Sequence, residues 1–168
     1  SMPSELVEKW LNEGYGEEFF SAMNEDPPLT VRLNTLKAES LSEKFTKSDF
    51  SPFSYTYIGS GSAEHTDEFI NGYIAIQDGA SQKAVLALDI KENMSVLDLC
   101  AAPGGKTGFI AQLLNNTGSV VSCDIHPHKL DLIKNNLKRL GVTNATVTLN
   151  DASVIRAEFV DRFDRVLC

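Results

Sequence analysis

The sequence predicts an α/β chain in two parts: a small α+β subdomain over residues 1–75, then strands alternating with helices over residues 76–168. Three observations predict it. Short apolar runs at 96–99, 119–124, 146–149 and 163–168 have the length and composition of buried parallel strands. Helical patterns stand between them, which implies parallel βαβ units. Before residue 76 the strand-like segments alternate apolar with polar residues, as in a sheet with one solvated face.

The elements follow in order. Leu6, Val7, Trp10 and Leu11 recur at helical spacing, and Phe19, Phe20 and Met23 continue the pattern past Gly14 and Gly16, so residues 4–24 read as one or two helices. Asp26-Pro27-Pro28 ends that segment, because proline cannot continue a helix. Leu29 to Asn34 alternates as a strand. Ser40-Leu41-Ser42-Glu43 has the capping-box pattern of a short helix. Ser54 to Ile58 is rich in β-formers, and Tyr73 to Gln77 follows a Gly/Ser turn. Ala84, Val85 and Leu88 predict an amphipathic helix ahead of the strand at Val96. A helix follows the Pro-Gly-Gly turn through Phe109, Ile110, Leu113 and Leu114. Another runs from Lys129 to Leu140, with Leu130, Ile133, Leu137 and Leu140 on one face and Gly141 as its stop.

Composition narrows the class. The net charge is −8, with −9 in residues 1–78 and +1 in residues 79–168. An acidic first half is a poor match to a phosphate backbone. Lys134, Lys138 and Arg139 cluster on one predicted helix and read as a solvated face. No segment approaches the ~18 apolar residues of a membrane span, and no signal peptide is visible, so a cytoplasmic protein is expected. Ser1-Met2 reads as a tag remnant. Cys100, Cys123 and Cys168 fall in or at the ends of predicted buried strands, without the spacing of a metal site, and fit free thiols in a reducing compartment. His126 and His128 flank Pro127 in a loop and carry no assigned role.

The chemistry concentrates in Val96-Leu97-Asp98-Leu99-Cys100-Ala101-Ala102-Pro103-Gly104-Gly105-Lys106-Thr107. A strand, a glycine turn and a helix N-terminus together suit a small charged ligand, because glycine admits close backbone approach and free N–H groups favour negative charge. Gly105-Lys106-Thr107 imitates the end of a phosphate-binding P-loop, but that motif needs glycine where Cys100 stands. The dinucleotide fingerprint is absent as well. Asp124 ends the next strand about 20 residues after the turn, the spacing at which a carboxylate reaches the hydroxyls of a bound ribose. Asp151, after the third strand, reads locally as an N-cap.

The Cys-Ala-Ala-Pro-Gly-Gly-Lys-Thr string resembles motif I of the RNA cytosine-5 methyltransferases of the RsmB/Sun (Fmu) type. Arg32-Leu33-Asn34-Thr35-Leu36-Lys37 resembles that family's opening motif to an RNA-recognition-like subdomain, and Ile76-Gln77-Asp78-Gly79-Ala80-Ser81 its lead into the methyltransferase domain, with Gly79 a departure from the pattern. The resemblance implies the first half of a Rossmann-like, S-adenosylmethionine-dependent methyltransferase fold with sheet order 3-2-1-4. It implies S-adenosylmethionine held by Cys100, Ala101, Ala102, Pro103, Gly104, Gly105 and Lys106, by Asp124 at the ribose and by Asp151 at the adenine, with Lys129 a further candidate at the ribose edge. Ribosomal RNA is the first substrate it implies, and transfer RNA the second.

In that family the fourth strand leads into an Asp-x-Pro-Cys motif and later a Thr-Cys-Ser motif that carries the nucleophile. Both lie beyond Cys168, so no catalytic residue is assigned here, and the chain is expected to bind cofactor without turning over substrate. Self-association through an open sheet edge at residues 163–168 is expected too. The rival class is a catalytically silent RNA- or partner-binding module on the same fold, which the acidic first half disfavours.

Overall fold

The computed structural model describes residues 3–25 and 27–168. Ser1, Met2 and Asp26, the first residue of the expected helix stop, lie outside the described residues. The N-terminal segment forms two helices, α1 (Ser4–Asn12) and α2 (Glu17–Asn24), and neither carries a fully buried residue. They meet through Trp10, whose ring stands edge-on to Phe19 with centroids 5.5 Å apart.

Four antiparallel strands follow: β1 (Thr30–Leu33), β2 (Phe45–Lys47), β3 (Ser54–Tyr57) and β4 (Ile74–Ile76), in the order β2-β3-β1-β4. Val31, Phe45 and Ile74 are buried on one face of this sheet. The short helix α3 (Asp67–Ile70) is opened by Thr66, whose hydroxyl accepts from the Phe69 N–H at 3.2 Å. The capping-box pattern at residues 40–43 opens no helix. The Ser42 hydroxyl instead donates to Glu68 across the subdomain (2.6 Å), and the chain turns into β2, where Phe45 is buried. A buried aromatic in a sheet outweighs a local cap. Pairing of Ile76 with Val31 carries the small sheet one residue past the expected division at 75.

The second sheet is wholly parallel. Its strands β5 (Ser95–Asp98), β6 (Ser119–Asp124), β7 (Ala145–Leu149) and β8 (Arg165–Leu167) lie in the order β7-β6-β5-β8, which is 3-2-1-4 in chain order. Helices α4 (Gly79–Leu86), α5 (Gly105–Leu113) and α6 (Pro127–Leu140) accompany it. Val96 and Val120 pair in register, and with Val85, Phe109, Ile110 and Leu114 they form the main core. Ala101, Ile133 and Leu137 form a second cluster under α6. Leu88 lies beyond the end of α4 yet still packs on the main core. Of the cysteines only Cys123 is buried; Cys100 and Cys168 stand at strand ends and are exposed. Among the described residues no helix is long and apolar enough to cross a membrane.

The two sheets are joined by buried polar side chains. Arg32 of β1 is fully buried; its guanidinium donates to the side-chain oxygens of Gln77 (2.8 Å) and Gln112 of α5, and it stacks 4.5 Å from the Phe109 ring centroid. Burial, with a smaller push from Arg139, lowers its pKa to about 9. Asn34 donates to the carbonyls of Gly72 and Leu140, both at 2.8 Å, and so closes the C-terminal end of α6. Arg139 departs from the expected solvated face. It is half-buried, donating to the Phe69 and Ile74 carbonyls at 2.6 and 3.0 Å and lying 3.9 Å from the Phe69 ring centroid. Lys134 and Lys138 remain exposed.

Candidate functional site

The glycine turn sits at the carboxyl end of the parallel sheet, where open α/β sheets bind ligands. β5 delivers Asp98 into the interior, and the chain turns through residues 99–104 before α5 begins at Gly105. Gly104 has φ +97°, a conformation that L side chains resist, and an added Cβ would stand 3.4 Å from Ile133 of α6. The turn is pinned from below. The Thr107 hydroxyl donates to Asp98 at 2.6 Å and lies 3.0 Å from the Ser122 hydroxyl of β6. Burial raises the Asp98 pKa, with the Thr107 hydrogen bond opposing it. Neither Asp98 nor Thr107 was expected among the functional residues. The available signal was the single carboxylate inside an apolar strand.

Asp124 ends β6 with its carboxylate oriented by backbone donors. The Ala102 N–H donates to one oxygen at 3.3 Å and the His126 N–H to the other at 3.0 Å. Burial acts to raise its pKa, but those two N–H groups and the nearby Lys129 outweigh it and hold the carboxyl below its ordinary value. Asp124 is therefore ionised at neutral pH, with acceptor capacity left for a ligand.

Two clefts flank the turn. The larger, about 380 Å³, is lined by Cys100, Ala102, Asp124, Lys129 and Asp151 among the expected residues. Leu99, Ile125, His126, Asn150 and Ala152 also line it and were not expected. The smaller, about 190 Å³, is lined by Ala101, Ala102, Pro103, Gly105 and Lys106, with Gln77, Asp78 and Ser81 opposite. Ala102 borders both clefts, so the turn is the wall between them. Gly104 alone of the expected residues lines neither and is buried beneath. Asp151 accepts from the Ser153 N–H and hydroxyl at 2.9 and 2.7 Å, which fixes the rim, and the Ser153 hydroxyl, then its N–H, lower its pKa.

This cleft fits an adenosine-like group carrying a charged tail. Asp124 offers an anionic acceptor for paired hydroxyls, the Leu99, Ile125 and Ala152 side chains offer apolar walls, and Asn150 and Asp151 offer polar edges. Neither Cys100 nor Cys123 is activated toward the thiolate. Burial raises the Cys100 pKa, with neighbouring Cys168 adding to it, and pushes Cys123 up to about 11. Both are protonated at neutral pH, and the thiol is not the attacking form.

Comparison with known proteins bears on the same region. The model of a family described as 16S rRNA methyltransferase RsmB/F matches residues 85–168. A Bacillus subtilis protein named probable ribosomal RNA small subunit methyltransferase B is 37% identical over 99% of this chain, which spans 40% of that protein. A Pyrococcus abyssi tRNA (cytosine(49)-C(5))-methyltransferase is 32% identical over 96% of the chain, which spans 55% of it. The crystal structure of a methyltransferase homolog protein from Pyrococcus horikoshii superposes with a TM-score of 0.78 at 28% identity, covering 98% of this chain and 62% of that one.

Proposed function

The chain belongs to the 16S rRNA methyltransferase RsmB/F family, and from that premise we propose that it is the cofactor-binding half of an S-adenosylmethionine-dependent RNA cytosine-5 methyltransferase. Ribosomal RNA is the first substrate and transfer RNA the second, in line with the names of the two relatives. The observation that carries the reading is the Asp124 carboxylate, ionised and pre-oriented by two backbone N–H groups on the wall of a nucleoside-sized cleft.

The cofactor supplies an electrophilic methyl group on a sulfonium. The chain's own residues bind and orient it. Asp124 accepts from the ribose hydroxyls, and the His126 and Ala102 N–H groups, with Lys129 nearby, keep that carboxylate charged. Asp151 and Asn150 read the adenine edge between the apolar walls of the cleft. The turn from Cys100 to Lys106 carries the methionine portion, with Gly104, buried beneath it against Ile133 at a φ of +97°, setting the shape of the turn and Lys106 facing the smaller cleft. Asp98 and Thr107 hold the turn rather than the ligand. Free thiols support a reducing, cytoplasmic setting. We divide the chain after β4, into an RNA-recognition-like subdomain and the cofactor half.

Calorimetric titration with S-adenosylmethionine, with ATP as control, tests the reading. Saturable binding is expected. Asp124→Ala removes a charged acceptor and should cost about 2–3 kcal/mol, roughly a hundredfold in Kd. Binding of ATP without response to S-adenosylmethionine overturns it.

A further inference from the structure

A third and larger groove, about 460 Å³, opens where the small subdomain meets α6. Its floor is β4 (Ala75, Ile76), one wall is α3 with Phe69, and the other is the α6 face bearing Leu132, Asn135, Asn136 and Arg139. These four recur at helical spacing on a face distinct from the core stripe of Ile133, Leu137 and Leu140. The groove is continuous with the methyltransferase site, since Ile76 and Pro103 border both it and the smaller cleft beside Lys106. Asn136 ties the two, donating to the Pro103 carbonyl at 3.1 Å.

We propose that this groove holds one unpaired nucleobase of the RNA substrate, a neighbour along the strand of the target cytosine. The inference rests on the methyltransferase reading above. Four observations support a base over any other occupant. Arg139 is a rigid planar platform: carbonyls of Phe69 and Ile74 and the Asn136 side chain fix its nitrogens, and the Phe69 ring backs its plane. Guanidinium planes and aromatic rings are what splayed-out RNA bases stack on. Glu64 and Arg139 are the two charged residues lining the groove and their charges balance, so it is nearly neutral and suits a base better than a phosphate. Exposed Glu64 and Asn135 supply an acceptor and a carboxamide for a base edge, and the exposed Leu132 and Ile76 supply apolar contact. The volume matches a small-molecule pocket rather than a long helix-binding furrow.

The test is fluorescence anisotropy with a labelled single-stranded RNA of about 12 nucleotides, and with copies carrying one abasic residue at successive positions around a cytosine. Leu132→Ala and Asn135→Ala alter exposed side chains and should leave S-adenosylmethionine binding unchanged. Each should weaken RNA binding by about fivefold to tenfold, the scale of one lost hydrogen bond or apolar contact to the base. On the RNA whose abasic position corresponds to the groove, the loss should disappear. Glu64→Gln should alter the preferred base there. Equal losses on intact and abasic RNA, or no loss, overturn the proposal. So does a chain that binds S-adenosylmethionine but no RNA, which leaves the cofactor reading intact; failure to bind either removes both. Self-association abolished by Leu132→Arg with RNA affinity unchanged would assign the groove to a second copy and overturn the proposal.

Discussion

Asp98 and Asp124 end neighbouring strands and are tuned in opposite directions. Asp124 accepts two backbone N–H groups and stays charged, while Asp98 is buried with one hydroxyl donor and its pKa is raised. A carboxyl whose folded pKa exceeds its unfolded value binds protons more tightly in the folded state, so its contribution to stability falls as pH rises through that window. Asp98→Asn lacks this dependence. The stability difference between variant and parent should therefore move in the variant's favour as pH rises from about 4 to about 8, read from urea midpoints. A difference that moves the other way would sink the assignment. The carboxylate proposed to face the ligand stands out in the sequence because it follows a glycine turn at a characteristic distance. Its partner could not, because the Thr107 and Ser122 hydroxyls that define it come from a helix and a different strand.

Most elements were legible because their apolar periodicity coincides with burial. The four parallel strands fall where the apolar runs lie, and Leu130, Ile133, Leu137 and Leu140 of α6 form the face that packs. The reading failed where one residue's tertiary environment decided the outcome. Phe45 is buried in β2, so the cap at Ser40 to Glu43 opens nothing, and Arg139 belongs to the junction although its neighbours Lys134 and Lys138 are solvated. Arg32 shows the same limit, since an arginine in a short alternating strand carries no mark of complete burial. It links β1 to α5 directly behind the glycine turn, through Gln77 and Gln112. Arg32→Ala leaves a cavity and two buried acceptors without donors. It should cost about 3 kcal/mol or more, seen as a lower urea midpoint. Weaker binding of S-adenosylmethionine should accompany it, since α5 begins inside the turn. A variant as stable as the parent would mean the link bears no load.

At the scale of the molecule, β8 pairs with β5 on one side and, among the described residues, with nothing on the other. Val166 on this strand is half-exposed, as is nearby Val160, and Ile155 is almost fully exposed. An unpaired apolar edge is a template for a second chain. We predict concentration-dependent self-association in sedimentation velocity, suppressed by Val166→Lys. A single monomeric species at every concentration, for parent and variant alike, would refute it. Charge also divides the molecule, with the acidic excess confined to residues 1–78, so the proposed RNA substrate is expected over the clefts and α6 rather than over α1 and α2. The polar junction has a last consequence, for inheritance. Asn34 holds the end of α6, Arg32 holds α5, and Arg139 reaches back to Phe69 and Ile74. Each tie has one end in each subdomain, so a substitution on one side strands a buried group on the other until it is answered there. The two subdomains are not interchangeable cassettes: swapping one between relatives would succeed only where Arg32, Asn34, Gln77, Gln112 and Arg139 travel as a set.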